Sequence, residues 1–253
     1  MKHYPIIDPK KFILYLRESG RLKVEKGPDI VIIVFLESII DECKKKYELT
    51  EVEGFDAGEL YLLEKNKNIG IFYCRGIGAP VATINLEELI AFGSQKFIVI
   101  GTAGTISNEL AIADIVLCNS AICDEGTSRH YNFKDQIAYP SKELSFMVGN
   151  CFKHNSLTFN EGKTWTTDAP YRETSDKVIM YQKNNVLCVE MEASALFTVS
   201  DFYKIDIAAA FVISDSLADL KWTPGFFSPL VMDKLLLIIE SLFDFKNNKD
   251  FTL

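Results

Sequence analysis

The chain has 253 residues, 48% hydrophobic and 25% charged, with a net charge of −8. That is the composition of a soluble globular protein long enough for one large α/β domain and short for two. The acidic balance, with no basic run, argues against a partner that presents a phosphate backbone. No stretch approaches the roughly 20 apolar residues that would span a bilayer, and the first nine residues lack the apolar core of a signal peptide. The six cysteines (Cys43, Cys74, Cys118, Cys123, Cys151 and Cys188) are scattered, mostly inside apolar runs and without C-x-x-C spacing. They suit reduced thiols in a cytoplasmic protein better than a disulfide frame or a zinc site.

In chain order, Asp29–Phe35 reads as a buried strand, followed by a helix from Glu37 to Lys46. Leu60–Leu63 and Ile69–Cys74 read as a hairpin with its turn at Lys65–Asn68. Leu86–Phe92 is predicted helical, Lys96–Ile100 a strand, and Gly101–Thr105 the loop that follows it. Ile115–Cys118 and Ala208–Ile213 are further strands; Val189–Tyr203 and Ser228–Phe245 are long helices. Strands that are apolar throughout imply a sheet covered on both faces. Alternating β and α elements imply a three-layer α/β/α fold around a mixed, largely parallel sheet. No repeat or linker divides the chain, which reads as a single domain over 1–253.

In such folds ligands bind where loops leave the carboxyl ends of strands, and several chemically able segments fall there. Glu190 and Glu192 flank Met191 where an apolar strand runs into an apolar helix. Buried carboxylates need donors. Either a ligand with paired hydroxyls supplies them, with Met191 as a soft face for a sugar ring, or the helix N-terminus does. Gly76-Ile77-Gly78-Ala79-Pro80 and Gly101-Thr102-Ala103-Gly104-Thr105 are glycine-rich segments after strands, open to reading as tight turns or as an anion and sugar cradle. Asp215, at the end of the last buried strand, is either a proton donor with a raised pKa or a cap. Asp124–Tyr131 is a polar loop in which His130 is a base, a donor or a structural residue. Lys163–Thr174, with Trp165 and Tyr171, has the composition of a loop that walls a flat base, or of a surface loop anchored by its Trp.

Together these segments resemble the nucleoside phosphorylase and nucleosidase superfamily, the branch with uridine phosphorylase, purine nucleoside phosphorylase and methylthioadenosine nucleosidase. Gly76–Leu89 is similar to that family's Gly-x-Gly segment and helix, and Ile100–Gly104 to its Gly-Ser/Thr-x-Gly strand end. Val189–Ala193 is similar to its ribose-binding motif, and Ile213–Asp215 to the strand end carrying the acid of its purine-cleaving members. The resemblance implies that Glu192 grips the ribose hydroxyls, that Met191 packs on the sugar and that Glu190 lies beside them. It places Thr102, with Gly101 and Gly78, near sugar and anion, and makes Asp215 the proton donor to purine N7. Pro170 falls where relatives often carry a base-stacking Phe, which leaves Tyr171 or Trp165 as the wall. It also implies a homodimer or a hexamer of dimers, with His3 reaching a neighbour's ribose, and no metal or organic cofactor beyond phosphate as co-substrate.

The sequence departs from the family at the anion. The Gly-Asp-Pro-x-Arg loop of phosphorolytic members is replaced by Val34–Ile39, an expected Arg by Val99, and a third, lent by the neighbouring subunit, falls near Asp56. Either Arg75, Arg129 or Arg172 has taken over, or the acceptor is water oriented by Glu37 or Asp41. The expected activity is phosphorolysis of a purine nucleoside to free base and ribose 1-phosphate. Its alternatives are hydrolysis of the same bond, a uridine phosphorylase, and a protein that binds a nucleoside without turnover. Trp222–Phe227 lies where relatives place a lid, and reads as that or as an apolar surface loop.

Overall fold

The computed structural model describes residues 6–131 and 133–244; His3 and Phe245 lie outside them. Helices α1 (Pro9–Glu18), α2 (Glu37–Lys46), α3 (Ala79–Phe92), α4 (Lys142–His154), α5 (Ser175–Lys183), α6 (Ala193–Tyr203) and α7 (Pro229–Phe243) surround one sheet. Its strands are β1 (Ile30–Val34), β2 (Leu49–Val52), β3 (Gly58–Leu63), β4 (Ile69–Cys74), β5 (Lys96–Thr105) and β6 (Ile115–Asp124). β7 (Ile137–Ala138), β8 (Asn160–Thr167), β9 (Val186–Glu190), β10 (Asp206–Ser216) and β11 (Thr223–Pro224) complete it.

The period-2 geometry of a strand sorts β1 onto both faces. Val31 and Ile33 pack with α1, α3 and α6, through residues such as Leu16, Leu86 and Leu196. Ile30, Ile32 and Val34 pack with α2, α4 and α7, through Ile39, Phe152 and Leu235. This is the expected three-layer arrangement. The long ladders β1–β4, β1–β5, β5–β10 and β6–β8 are parallel, while β2–β3 and β3–β4 form an antiparallel edge.

The sheet also closes on itself, which the pattern of apolar runs does not predict. β10 pairs with both β5 and β6, β6 with β8, β8 with β9, and β9 returns antiparallel to β5. A closed barrel has no free edge and fixes the strand ends relative to one another. Phe211, fully buried in β10, packs within the larger core beside Gly101.

Three expected loops are regular structure. Gly101–Thr105 continues β5, and Lys163–Thr167 is the second half of β8 rather than loop. Asp124 ends β6, and a 3-10 turn covers Thr127–Tyr131. Apart from Trp165, the side chains that continue β5 and β8 are small, β-branched or polar, so the apolar signal stops before the ladder does. The helix expected from Val189 begins at Ala193, because Val189 and Glu190 remain in β9. α1, α4 and α5 are helices that no apolar run announced, and of the three α1 has a side-chain cap at its start. Asp8 Oδ1 accepts from Lys10 N at 2.9 Å just before Pro9 opens α1. Among the described residues, no helix is long and apolar enough to cross a membrane and no cluster of His, Cys, Asp or Glu could hold a metal ion. All six cysteines are free.

Because Phe211 fills the region where β10 meets β5, Phe211→Ala is expected to destabilise the chain by about 3–5 kcal/mol through the cavity it leaves. Urea unfolding followed by circular dichroism measures it, and a loss under about 1 kcal/mol would mean that the region repacks.

Candidate active site

β5 outlasts its neighbour on one edge. Its register with β1 stops at Val34 opposite Ile100, and its register with β9 begins at Gly104 opposite Val189. Gly101, Thr102 and Ala103 therefore have no strand partner on that edge, while on the other they pair with Phe211, Val212 and Ile213 of β10. A Cβ on Gly101 would sit 3.5 Å from Phe35 and 3.4 Å from Phe211, so the strand is tightly backed there. Thr102 is half-buried, and its hydroxyl makes no hydrogen bond within the described residues. Unpaired backbone at the end of a closed barrel is a place where a ligand can complete the hydrogen bonding.

The two glutamates beside this gap have different environments. Glu190, the last residue of β9, has its Oε1 bonded by Thr166 Oγ1 at 2.5 Å and Thr164 Oγ1 at 3.4 Å. Its Oε2 accepts from the backbone N–H groups of Glu192 at 2.7 Å and Ala193 at 2.6 Å. It is saturated by its own chain and anchors the N-terminus of α6. Of the two sources of donors that the sequence leaves open for Glu190, a ligand or the helix N-terminus, the described contacts are those of the helix N-terminus and of two threonines. Glu192, at the N-cap of α6 and 6% exposed, accepts from Gly78 N at 2.5 Å. Burial, then the charge of Glu190, pushes its pKa up to about 8; burial pushes that of Glu190 up to about 7.

The Gly76–Pro80 segment turns out to be an arm for Glu192 rather than an anion cradle. Gly76 N is bonded to Cys74 O and Gly78 N to Glu192. Gly78 has φ of 101°, a conformation that favours glycine, and α3 starts immediately after it with Ala79 and Pro80 in its first turn. The Met191 methyl lies 3.9 Å from where a Gly78 Cβ would stand, so this methionine covers the same corner.

Asp215 stands on the far side of β5, opposite Gly104 and 7% exposed. Its Oδ1 is bonded to Ser214 Oγ at 2.9 Å and its Oδ2 accepts from Trp222 Nε1 at 2.9 Å. Burial raises its pKa, and those two bonds oppose the rise. Glu173, which the sequence pattern did not single out, is half-buried on the turn after β8. Its pKa is pushed up to about 7 by burial and then by the charge of Asp215.

The aromatic wall is not where the sequence suggested. Trp165 is fully buried, packs against Tyr181 at 4.6 Å between centroids and donates to Asp124 Oδ2 at 3.0 Å. It points to the opposite face of β8 from Thr164 and Thr166, which reach Glu190, and so serves the core. Tyr171 is 99% exposed, so little of its ring is covered by the described residues. Arg75 is tied to Glu59 Oε1 at 2.5 Å by an exposed ion pair. Arg129, His130 and Arg172 are exposed, and among the described residues the two arginines form no ion pair. Glu37 is exposed at the start of α2, while Val99 is buried in β5 and Asp56 is paired with Arg21.

A carboxyl that holds its proton more tightly when folded stabilises the fold below its unfolded pKa of about 4.3, a contribution lost as pH rises through the folded value. For Glu192 that loss runs up to about pH 8. Glu192→Gln keeps an acceptor for Gly78 N but never charges. The ligand-free variant is therefore expected to match wild type in thermal stability near pH 4 and to exceed it at pH 8–9 by on the order of 1–3 kcal/mol. Melting curves across that range check this, and a variant less stable than wild type at pH 8 would contradict it.

Comparison with known proteins places this geometry in a family. The DeoD-type purine nucleoside phosphorylase of Clostridium novyi (strain NT) is 31% identical over 144 residues, 56% of this chain and 62% of that relative. The corresponding protein of Buchnera aphidicola subsp. Schizaphis graminum is 30% identical over 155 residues, 60% of this chain and 65% of its own. A guanosine phosphorylase of Halorubrum lacusprofundi is 30% identical over 125 residues, 49% of this chain and 52% of that one. The matches thus span less than two thirds of these relatives' own length. The crystal structure of a purine nucleoside phosphorylase from Toxoplasma gondii with immucillin-H superposes with a TM-score of 0.77 at 18% identity, over 87% of this chain and 92% of that one, and shares the fold. The family model described as the Phosphorylase superfamily matches residues 29–243, from the first strand to the last helix, and the chain belongs to that superfamily.

Proposed function

We propose that this protein cleaves the N-glycosidic bond of purine nucleosides by phosphorolysis, yielding the free base and ribose 1-phosphate. The observation that supports it most is the placing of Glu192 and Asp215 on either side of the unpaired stretch of β5, each buried and held by donors from its own chain. The names of its relatives point to the same reaction and to purine as the base.

In this reading the ribose hydroxyls donate to Glu192, which burial keeps protonated in the empty site and which two hydroxyl donors would favour as the carboxylate. Met191 lies against the sugar. As the C–N bond breaks, its electron pair moves to the base and the sugar takes on positive charge, tolerated by the nearby carboxylate. The Asp215 O–H bond breaks and its proton joins N7, so the base departs neutral. A phosphate oxygen forms the new bond to the sugar from the other face. Thr102 and whichever backbone amides of Gly101–Ala103 point to the edge away from β10 are the proposed anion contacts, with Arg129 and Arg172, in no ion pair among the described residues, as the cations to test. Arg75 is less suited, since Glu59 already neutralises it. A homodimer or hexamer, and a cytoplasmic location compatible with the free thiols, belong to this proposal.

The test is base release from inosine, adenosine, guanosine, methylthioadenosine and uridine, with and without phosphate. Purine release that requires phosphate is expected, with Asp215→Asn slower by roughly 10²–10⁴-fold. Release indifferent to phosphate would make the acceptor water, and uridine cleavage untouched by Asp215→Asn would remove the purine-acid assignment. Binding without turnover would leave a nucleoside-binding protein.

A further inference from the structure

Asp215 is reached by a side chain from the segment that follows it. β10 ends at Ser216, the chain turns through Leu217–Lys221, and β11 returns antiparallel with Pro224 opposite Asp215 and Thr223 opposite Ser216. The return brings Trp222 back over the carboxyl, its indole N–H 2.9 Å from Oδ2. The described residues cover this tryptophan only in part: it is 63% exposed, with Phe226 at 6.3 Å between ring centroids. A large aromatic left in water yet bonded to a nearly buried carboxyl is an arrangement in which the polar contact, not packing, sets the position.

We infer that Trp222 is a positioning residue for Asp215, its indole N–H holding Oδ2 and stabilising the carboxylate left when the proton passes to the base. The inference rests on the reading of Asp215 as the general acid. An indole N–H can only donate. It therefore cannot accept the acid's proton, and it favours the form of Asp215 that has given its proton up. Ser214 Oγ on Oδ1 can serve both forms: it donates to the carboxylate, or accepts from the acid while donating to Ala103 O at 3.4 Å. Burial alone would make Asp215 hold its proton and release it poorly; the Trp222 donor opposes that. The other groups around Asp215 are Gly104 and Thr105 on β5 and Leu217 on its own chain, all uncharged, and Glu173 on the turn after β8. Glu173 as an anion would work against ionisation of Asp215, which makes a neutral donor on Oδ2 more consequential. Asp219 and Lys221 on the same turn are exposed.

Trp222→Phe keeps the ring and removes the donor. Its kcat for phosphate-dependent inosine cleavage is expected to fall about tenfold, the usual worth of a hydrogen bond to a charged group. KM should stay within about twofold, because the indole N–H acts on the acid and not on the substrate. The alkaline limb of kcat against pH should move to higher pH, since the acid loses a donor that favoured its ionised form. A structural role alone would not move that limb. A second measurement needs no turnover and no variant of uncertain folding: the indole N–H resonance of Trp222 in ¹⁵N-labelled wild-type protein, followed against pH. It should titrate with Asp215 and cease to do so in Asp215→Asn. The other indole signal is that of the buried Trp165, bonded to Asp124, and the two are told apart because only the Trp222 signal is lost in Trp222→Phe. An unchanged kcat and alkaline limb in Trp222→Phe, with purine cleavage lost in Asp215→Asn, would overturn the inference and leave the acid assignment standing. Full purine cleavage by Asp215→Asn would overturn both. A Trp222 resonance indifferent to pH in wild type would show that the contact does not form and would overturn the inference alone.

Discussion

The length of β5 is the constraint on which the site depends. It pairs with β1 only as far as Ile100, then runs on to Thr105 with β10 on one side and β9 joining at Gly104. The closure of β5, β10, β6, β8 and β9 leaves these strands little freedom to shift, because each is held on both sides. The interval between the end of β1 and the start of the β9 pairing is then a fixed opening in the hydrogen-bond ladder. Glu192 is delivered to one side of it by the β9–α6 junction, and Asp215 to the other by the end of β10. A site placed on strand ends of a closed sheet is stiffer than one built on loops, and transfer reactions depend on such pre-set distances.

The site's electrostatics follow from who satisfies each carboxyl. Glu190 and Glu192 are two residues apart and both buried, yet four donors of the chain converge on Glu190, while Glu192 takes the backbone amide of Gly78. Glu190 thus builds the helix start that orients Glu192, and its charge further raises the proton affinity of Glu192. Asp215 has the complementary design. Burial holds its proton and two side-chain donors ease its release. One of those donors, Trp222, belongs to a segment tied to the core by the short β10–β11 pairing, so the acid's properties depend on a part of the chain largely in water.

Much of this was legible as pattern. The Val-Glu-Met-Glu-Ala run, the glycine pairs after strands and the Ser-Asp at a strand end each lie near the opening: β5 and β10 run to it in parallel, and β9 meets it antiparallel to β5 at Gly104 and Val189. The failures have specific causes. Trp165 was read as a base wall because aromatic and polar residues alternate around it. That alternation is the signature of a strand with one face in the core, and Trp165 is on the core face. The sequence leaves Gly76–Pro80 open between a tight turn and an anion cradle, because an amide's availability depends on partners from elsewhere, and Glu192 takes Gly78 N. Glu173 carried no local signal: its importance comes from Asp215, which lies on a strand distant in sequence.

What the sequence determined by itself was therefore periodicity and junctions. It set which runs form buried strands and that an apolar strand gives way to a helix near Glu190, because φ/ψ preference and side-chain alternation act over a few neighbouring residues. Only the tertiary structure decided the closure of the sheet through β5 and β9 and the division of labour between Glu190 and Glu192. It alone decided the burial of Trp165 and the indole donor on Asp215. Those outcomes depend on hydrogen-bond partners and on water exclusion between segments far apart in the chain, and such pairings have no local periodicity to read.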